Sequence, residues 1–382
     1  MTMSDSLTLG PIERVELYLV RLPLVAPFTT SFGTQSEREA LLVKIEDPGN
    51  EGWGECVAFA TPDYGYETHT TARHILRDHL LPMLGAAVAR SGTLADLLNE
   101  FHKVRGHPMA KAAVENALLD LIARRRGQRL FQLLGGEEKR IPSGISLGIQ
   151  ADPRKTLDAV GRAWQTGYHR IKIKIRKGHD IDVMRRVRSA FPDIPLMVDA
   201  NADYGIADLP LLKRLDEFDL MMIEQPLQPG DLYFHSRLQR ELRTPICLDE
   251  SIKTLLDVRA AAALESCRII NIKQGRVGGM LAAAAIEAFC RSGPIRIWSG
   301  GMLETGIGRA FNLHLQTLPG FDLPGDNSET RRYFNEDIVS PPVVLDRDGF
   351  ITLPPGPGTG VRVDTDRLQR TTIQREEVTW ER

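Results

Sequence analysis

The spacing of apolar and polar residues divides the chain into regions of different period. Over residues 12–22 (IERVELYLVRL) and 40–46 (ALLVKIE), β-branched and apolar residues partly alternate with polar ones, which predicts strands. Pro48-Gly49-Asn50 supplies a turn, so EGWGECV at 51–57 predicts the returning arm of a hairpin. The period then lengthens to that of helices near 67–82 and 108–126. In the second of these, Ala112, Ala113, Ala117, Leu118, Leu121 and Ile122 share one face. Together these elements predict an α+β unit over residues 1–140.

From about residue 141 the pattern changes again. Short apolar runs at 143–149, 169–175, 195–199, 220–224, 245–249, 268–273 and 295–299 alternate with amphipathic stretches such as 153–166, 180–190, 231–242 and 278–291. Strands alternating with helices predict βα units on a parallel sheet, and seven or eight in succession predict a closed barrel over 141–329. No G-x-x-x-x-G-K-[ST] or strand-to-helix G-x-G-x-x-G occurs, so the phosphate signals of open nucleotide-binding sheets are missing. After about 330 the chain becomes Pro-rich and strand-like (PPVVL, GFITL, GVRV), and these residues, 330–382, are expected to return to the first unit.

Composition narrows the partners. The 382 residues carry a net charge of −2 with acids and bases mixed, which favours neither nucleic acid nor an anionic membrane. No apolar stretch approaches the ~18 residues of a membrane span. The N-terminus lacks the basic and apolar regions of a signal peptide. Cys56, Cys247, Cys267 and Cys290 show no C-x-x-C or framework spacing, which suits a reducing cytoplasm. The nine histidines form no H-E-x-x-H and are expected mostly at the surface.

Chemistry concentrates at the ends of the predicted strands. Asp199, Glu224, Asp249 and Lys273 close strands three to six, spaced 25, 25 and 24 residues apart. Equivalent positions in successive βα units converge on one mouth of a barrel. One such carboxylate alone reads as an N-cap or a solvated loop residue. Three in register would repel unless a cation sat among them, and oxygen donors without Cys or His suit Mg²⁺. In strand two, Lys172 and Lys174 alternate with Ile171, Ile173 and Ile175, so the lysines would enter the mouth while the isoleucines pack against helices. Burial and neighbouring positive charge would lower the pKa of Lys174 toward that of a useful base. An exposed K-x-K on an edge strand is the plainer reading, which the flanking isoleucines weaken. Glycines in the run from Trp298 to Gly306 would let backbone approach a ligand closely, or form an ordinary βα turn.

These residues, with APFTTSFGTQ (26–35), EGWGECVAF (51–59), IKIKI (171–175), VDAN (198–201), IEQPL (223–227), TPICLDESI (244–252), NIKQGRVGG (271–279), GGMLETGIGRA (300–310) and LPGDNS (323–328), resemble the muconate-lactonising subgroup of the enolase superfamily. Its Lys-and-Mg²⁺ chemistry is a known pattern. The likeness is strongest to o-succinylbenzoate synthases that also racemise N-succinylamino acids. It implies an α/β fold, a modified TIM barrel (β/α)7β with an α+β capping domain. It implies Asp199, Glu224 and Asp249 as ligands of Mg²⁺, or Mn²⁺ or another divalent cation in its place. Lys174 and Lys273 would be acid/base groups on opposite faces of a small carboxylate substrate, with Lys172 assisting electrostatically. Ser146, Asn201, Met302 and Leu303 match substrate-contacting positions. Two capping loops would overhang the mouth, one with Phe28 and Phe32, the other near Phe59 and Tyr64. Relatives of this kind form homo-oligomers, often dimers or octamers. The chain departs from the pattern at Gln274, where many relatives carry proline, and at Phe59, where methionine is familiar. The implied reaction is α-proton abstraction through an enediolate, leading to dehydration, racemisation or both. A muconate-type cycloisomerase would use the same site. A barrel that only binds a ligand would have no need of two lysines across a metal.

Overall fold

A computed structural model describes residues 6–31, 33–150 and 152–379. Its first two strands are longer than the apolar pattern predicts. Arg14–Thr29 and Thr34–Asp47 pair antiparallel, with an irregularity between Pro23 and Phe28, and the pairing resumes at Phe28↔Gln35 and Thr29↔Thr34. The residues expected in an overhanging loop thus form the tip of a long hairpin. Thr29 reaches the barrel, where its carbonyl accepts from Ile149 N at 2.9 Å. Phe32 lies outside the described residues. The third strand, Asn50–Cys56, follows the predicted turn. The last strand, Thr372–Val378, runs antiparallel along the free side of Arg14–Thr29, giving a four-stranded sheet.

Helices cover this sheet. One helical run extends from His69 to Ala89, beyond its predicted end, and Leu94–Phe101 is a helix that the pattern did not suggest. The long helix Pro108–Arg125 lies directly on the third strand. Gly52 and Gly54 make that contact possible. A Cβ on Gly54 would sit 2.0 Å from the Ala113 carbonyl oxygen, and one on Gly52 would sit 2.1 Å from that of Ala117. Glycines at i and i+2 share one face of the strand, and alanines at i and i+4 share one face of the helix. Backbone therefore meets backbone. Trp53 N–H also donates to Asp120 Oδ2 at 3.2 Å.

Seven parallel strands follow in sequence order: Gly144–Leu147, Arg170–Lys174, Leu196–Asp199, Ile223–Glu224, Ile246–Leu248, Ile269–Ile272 and Arg296–Ser299. Helices connect them, as the alternation predicts. A short segment closes the ring: Phe321 bridges in parallel to Ile297, and Gly325 bridges to Ser143. This supplies the eighth β element of a (β/α)7β barrel. Ile171, Ile173 and Ile175 are buried, as expected of a strand packed beneath helices. The architecture is a modified TIM barrel with an α+β capping domain. Among the described residues no helix is long and apolar enough to cross a membrane.

Candidate functional site

Strand register brings the charged residues together. Ser146 is the Cα partner of Lys172, Lys174 of Asp199, and Asp199 of Glu224. Asp249 and Lys273 each follow the last residue of their strands. All six charged side chains are buried, Lys273 being the most exposed at 8%.

The lysines face carboxylates. Lys172 Nζ lies 3.0 Å from Glu224, 3.3 Å from Asp199 and 2.6 Å from Asp326. Lys174 Nζ donates to Asp199 Oδ2 at 2.5 Å and Asn201 Oδ1 at 2.7 Å. Lys273 Nζ donates to Asp249 Oδ2 at 2.8 Å and to Tyr64 Oη at 3.1 Å. Arg276 pairs with the second Asp249 oxygen. Carboxylates rather than cations therefore dominate the lysines' surroundings. Burial pulls the Lys172 pKa down, but Asp326, Glu224 and Asp199 outweigh it and hold the ammonium well above the ordinary lysine value. Lys273 is likewise raised: burial opposes its charge, and Tyr64, Glu250 and Glu224 prevail.

Asp199 resists burial through Lys174 and Lys172 and stays well below the ordinary carboxylate value. Glu224 is pushed up by burial and then by Asp199, and Glu250 is raised by the same two causes. The lysines thus leave part of the carboxylate charge uncompensated. Among the described residues no three acidic, His or Cys side chains converge as they stand, because each carboxylate is turned onto an ammonium, guanidinium or amide. The donor set is nevertheless all oxygen, buried, and on adjacent strand ends. That chemistry fits a hard divalent cation once the carboxylates rotate away from the lysines.

Above the charges is a cavity of about 160 Å³. Lys172, Lys174, Lys273, Ser146, Asn201, Met302 and Leu303 line it from the barrel, and Phe28, Phe59 and Tyr64 from the capping domain. Every substrate-contacting residue expected from the sequence therefore borders one space. Phe28 meets Tyr333 edge-on at 6.4 Å, and Phe59 meets Tyr64 edge-on at 6.2 Å. Ser146 Oγ is buried without a partner among the described residues. Leu303 holds φ of +57°, a strained state for a bulky residue and one that tends to occur where a ligand contact requires it.

Four residues at the site escaped the sequence reading. Asp326 pairs with Lys172 and with Arg170. Glu250 accepts from Asn201 Nδ2 at 3.0 Å, and Asn271 Nδ2 donates to Glu224 at 2.6 Å. Arg276 is the fourth. All four stand inside motifs that carry the family likeness, which was the available signal. Two histidines expected at the surface are buried instead: His235 and His314 each use both ring nitrogens in hydrogen bonds to backbone.

Comparison with known proteins agrees with this geometry. Residues 14–135 match the mandelate racemase/muconate lactonizing enzyme N-terminal domain, and residues 155–367 match the enolase C-terminal domain-like family. An o-succinylbenzoate synthase from Enterococcus faecalis is 47% identical over 94% of this chain and 97% of its own length. An N-succinylamino acid racemase from an Amycolatopsis species is 45% identical over 94% and 97%. The crystal structure of an enolase-superfamily member from Listeria innocua superposes with a TM-score of 0.91 at 39% identity, covering 96% of this chain and 98% of that one. The chain thus belongs to the mandelate racemase/muconate lactonizing enzyme family of the enolase superfamily.

Proposed function

We propose that this enzyme removes the α-proton of a small carboxylate substrate, acting as an o-succinylbenzoate synthase, an N-succinylamino acid racemase, or both. The observation that carries the reading is that Lys174 and Lys273, from the second and sixth barrel strands, border one cavity with buried carboxylates beside them. The relatives at 47% and 45% identity, named for these two activities, supply the substrate class. Asp199, Glu224 and Asp249 would hold Mg²⁺, with Mn²⁺ or another divalent cation as a substitute. When bound, the ion supplies Lewis-acid stabilisation of negative charge developing on the substrate carboxylate.

The protein's own groups do the proton work. One lysine takes the α-proton, leaving an enediolate, while Lys172 adds positive charge below it. In racemisation the other lysine returns a proton to the opposite face. In dehydration Lys174 gives its proton to the departing β-hydroxyl, and Lys273 stays cationic. Ser146, Asn201, Met302 and Leu303 shape the barrel side of the substrate pocket, and Phe28, Phe59 and Tyr64 cover it from above and exclude water. The division of labour follows a boundary near residue 140: residues 1–140 and 330–382 select, and 141–329 carry the chemistry. Four buried free thiols suit work in the reducing cytoplasm.

Isotope exchange tests the base assignment. In D₂O, Lys174→Ala should exchange the α-hydrogen of only one enantiomer of an N-succinylamino acid, and Lys273→Ala that of only the other, while racemisation falls by orders of magnitude in both. Exchange of the same enantiomer by both variants, or racemisation at the wild-type rate by either, refutes the assignment.

A further inference from the structure

The two lysines border one cavity and each pairs with a barrel carboxylate, Lys174 with Asp199 and Lys273 with Asp249, but the capping domain grips them unequally. The partners of Lys174 Nζ, Asp199 and Asn201, belong to the neighbouring barrel strand and its loop, where Ser31 Oγ of the capping hairpin donates to the Asn201 backbone carbonyl at 3.4 Å and to neither side chain that holds the lysine. The segment bearing Lys273 is gripped from the capping domain at consecutive residues. Lys273 itself meets Tyr64. Gln274 buries its amide against the long capping helix, where Asn116 Nδ2 donates to Gln274 Oε1 at 2.9 Å. Gly275 lies flat on the capping strand's exit, and a Cβ there would be 2.5 Å from Val57 Cγ2.

Gln274 opens the short helix Gln274–Val277, and Lys273 is the residue before it. The Lys273 carbonyl accepts from Val277 N at 3.1 Å. Fixing the Gln274 side chain therefore fixes the peptide that follows Lys273, and with it the direction in which the lysine side chain leaves the backbone. Stability alone gives no reason for this pair. Both amides are buried, and each keeps an unpartnered atom, Asn116 Oδ1 and Gln274 Nε2. Burying half-satisfied amides costs free energy that apolar residues of similar shape would not.

We propose that Asn116 and Gln274 are positioning residues for Lys273, so that the long capping helix governs proton transfer on the Lys273 face of the substrate and not on the Lys174 face. This rests on the base assignment above.

The test uses initial rates of α-hydrogen exchange in D₂O, measured separately for N-succinyl-L-phenylalanine and N-succinyl-D-phenylalanine on the metal-loaded full-length enzyme. Lys174→Ala and Lys273→Ala first identify the enantiomer that each lysine serves. If they do not separate the enantiomers, the base assignment falls and this proposal falls with it. With the faces identified, Asn116→Leu and Gln274→Leu should each slow exchange of the Lys273 enantiomer by about tenfold or more, the scale expected when a catalytic group is displaced by a fraction of an ångström to an ångström. Exchange of the other enantiomer should stay within about twofold. The reciprocal double variant Asn116→Gln/Gln274→Asn keeps the combined length of the pair and should recover most of the loss. Equal loss for both enantiomers, or no change in either, overturns the proposal. Should Asn116→Leu fail to fold, Gln274→Leu and the reciprocal pair decide it by the same ratio.

Discussion

Replacing Gly54 with alanine probes the contact on which the capping domain is built. The added Cβ would lie 2.0 Å from the Ala113 carbonyl oxygen, short of ordinary contact by about 1.4 Å. The obstacle is helix backbone, which cannot swing aside as a flexible side chain would. Strand and helix must therefore separate, and the Trp53 N–H bond to Asp120 must lengthen with them. Overpacking of this kind costs about 1–3 kcal/mol, and each kcal/mol lowers Tm by roughly 2–4 °C in domains of ~150–250 residues. A fall of several degrees is expected in a calorimetric scan. Gly65→Ala is the control, because a Cβ there meets nothing within 4 Å. The same shift would move Asn116, three residues beyond Ala113, so exchange on the Lys273 face should slow as well. A Gly54→Ala protein that melts with the wild type would refute the close-contact reasoning.

Three further outcomes are expected. Chelator-treated enzyme should lose turnover and regain it with Mg²⁺, and Asp249→Asn should nearly abolish turnover while leaving the melting transition cooperative; full activity without metal would contradict the proposed mechanism. Phe28→Ala removes a half-buried ring from the cavity's cover and should raise KM roughly fivefold, about 1 kcal/mol of lost apolar contact; unchanged kinetics on every substrate tried would place the hairpin tip outside the site. His314 is buried and its pKa is pushed down to about 4. The folded protein therefore stays unprotonated there while the unfolded chain takes up a proton below about pH 6.5. Stability from this group is complete above pH 6.5 and is lost as pH falls toward 4, by about 3 kcal/mol at most. Denaturant titrations at pH 7 and pH 4.5 should show a smaller difference in His314→Gln than in wild type, and an equal difference would discount the histidine.

The register of Asp199, Glu224, Asp249 and Lys273 was legible because a repeating βα unit converts equal spacing in sequence into proximity in space. Lys172 and Lys174 were legible because a strand alternates its faces. Asp326 was not: the closing segment is held by single bridges at Phe321 and Gly325, and Pro324 and Gly325 give it the look of a turn. The far end of the first hairpin was obscured by Pro23 and Pro27 and by the charged run Glu37, Arg38, Glu39, which reads as loop until tertiary contacts hold it extended. The helix Leu94–Phe101 spans too few turns for its period to stand out, although Thr93 and Asp96 form a capping box. Glu250 and Arg276 carry charges that surface residues commonly carry, and apart from the motifs around them burial distinguishes them. The Gly52/Gly54 contact on Ala113 and Ala117 was written in the composition of both elements, yet nothing in either segment alone says that it will meet the other.

The strand Thr372–Val378 pairs with Val15–Val20, and this imposes an order on synthesis. The capping sheet's outer edge stays open while the ribosome makes the roughly 350 residues between the partners, a wait of about 20–70 s at ordinary elongation rates. During that time the first strand presents unpaired amides and carbonyls to any neighbouring chain. The barrel, by contrast, can close once Gly325 has emerged. The domain that opens the chain is therefore the last to be completed, and nascent molecules crowded on one message face their greatest risk of mispairing at that edge.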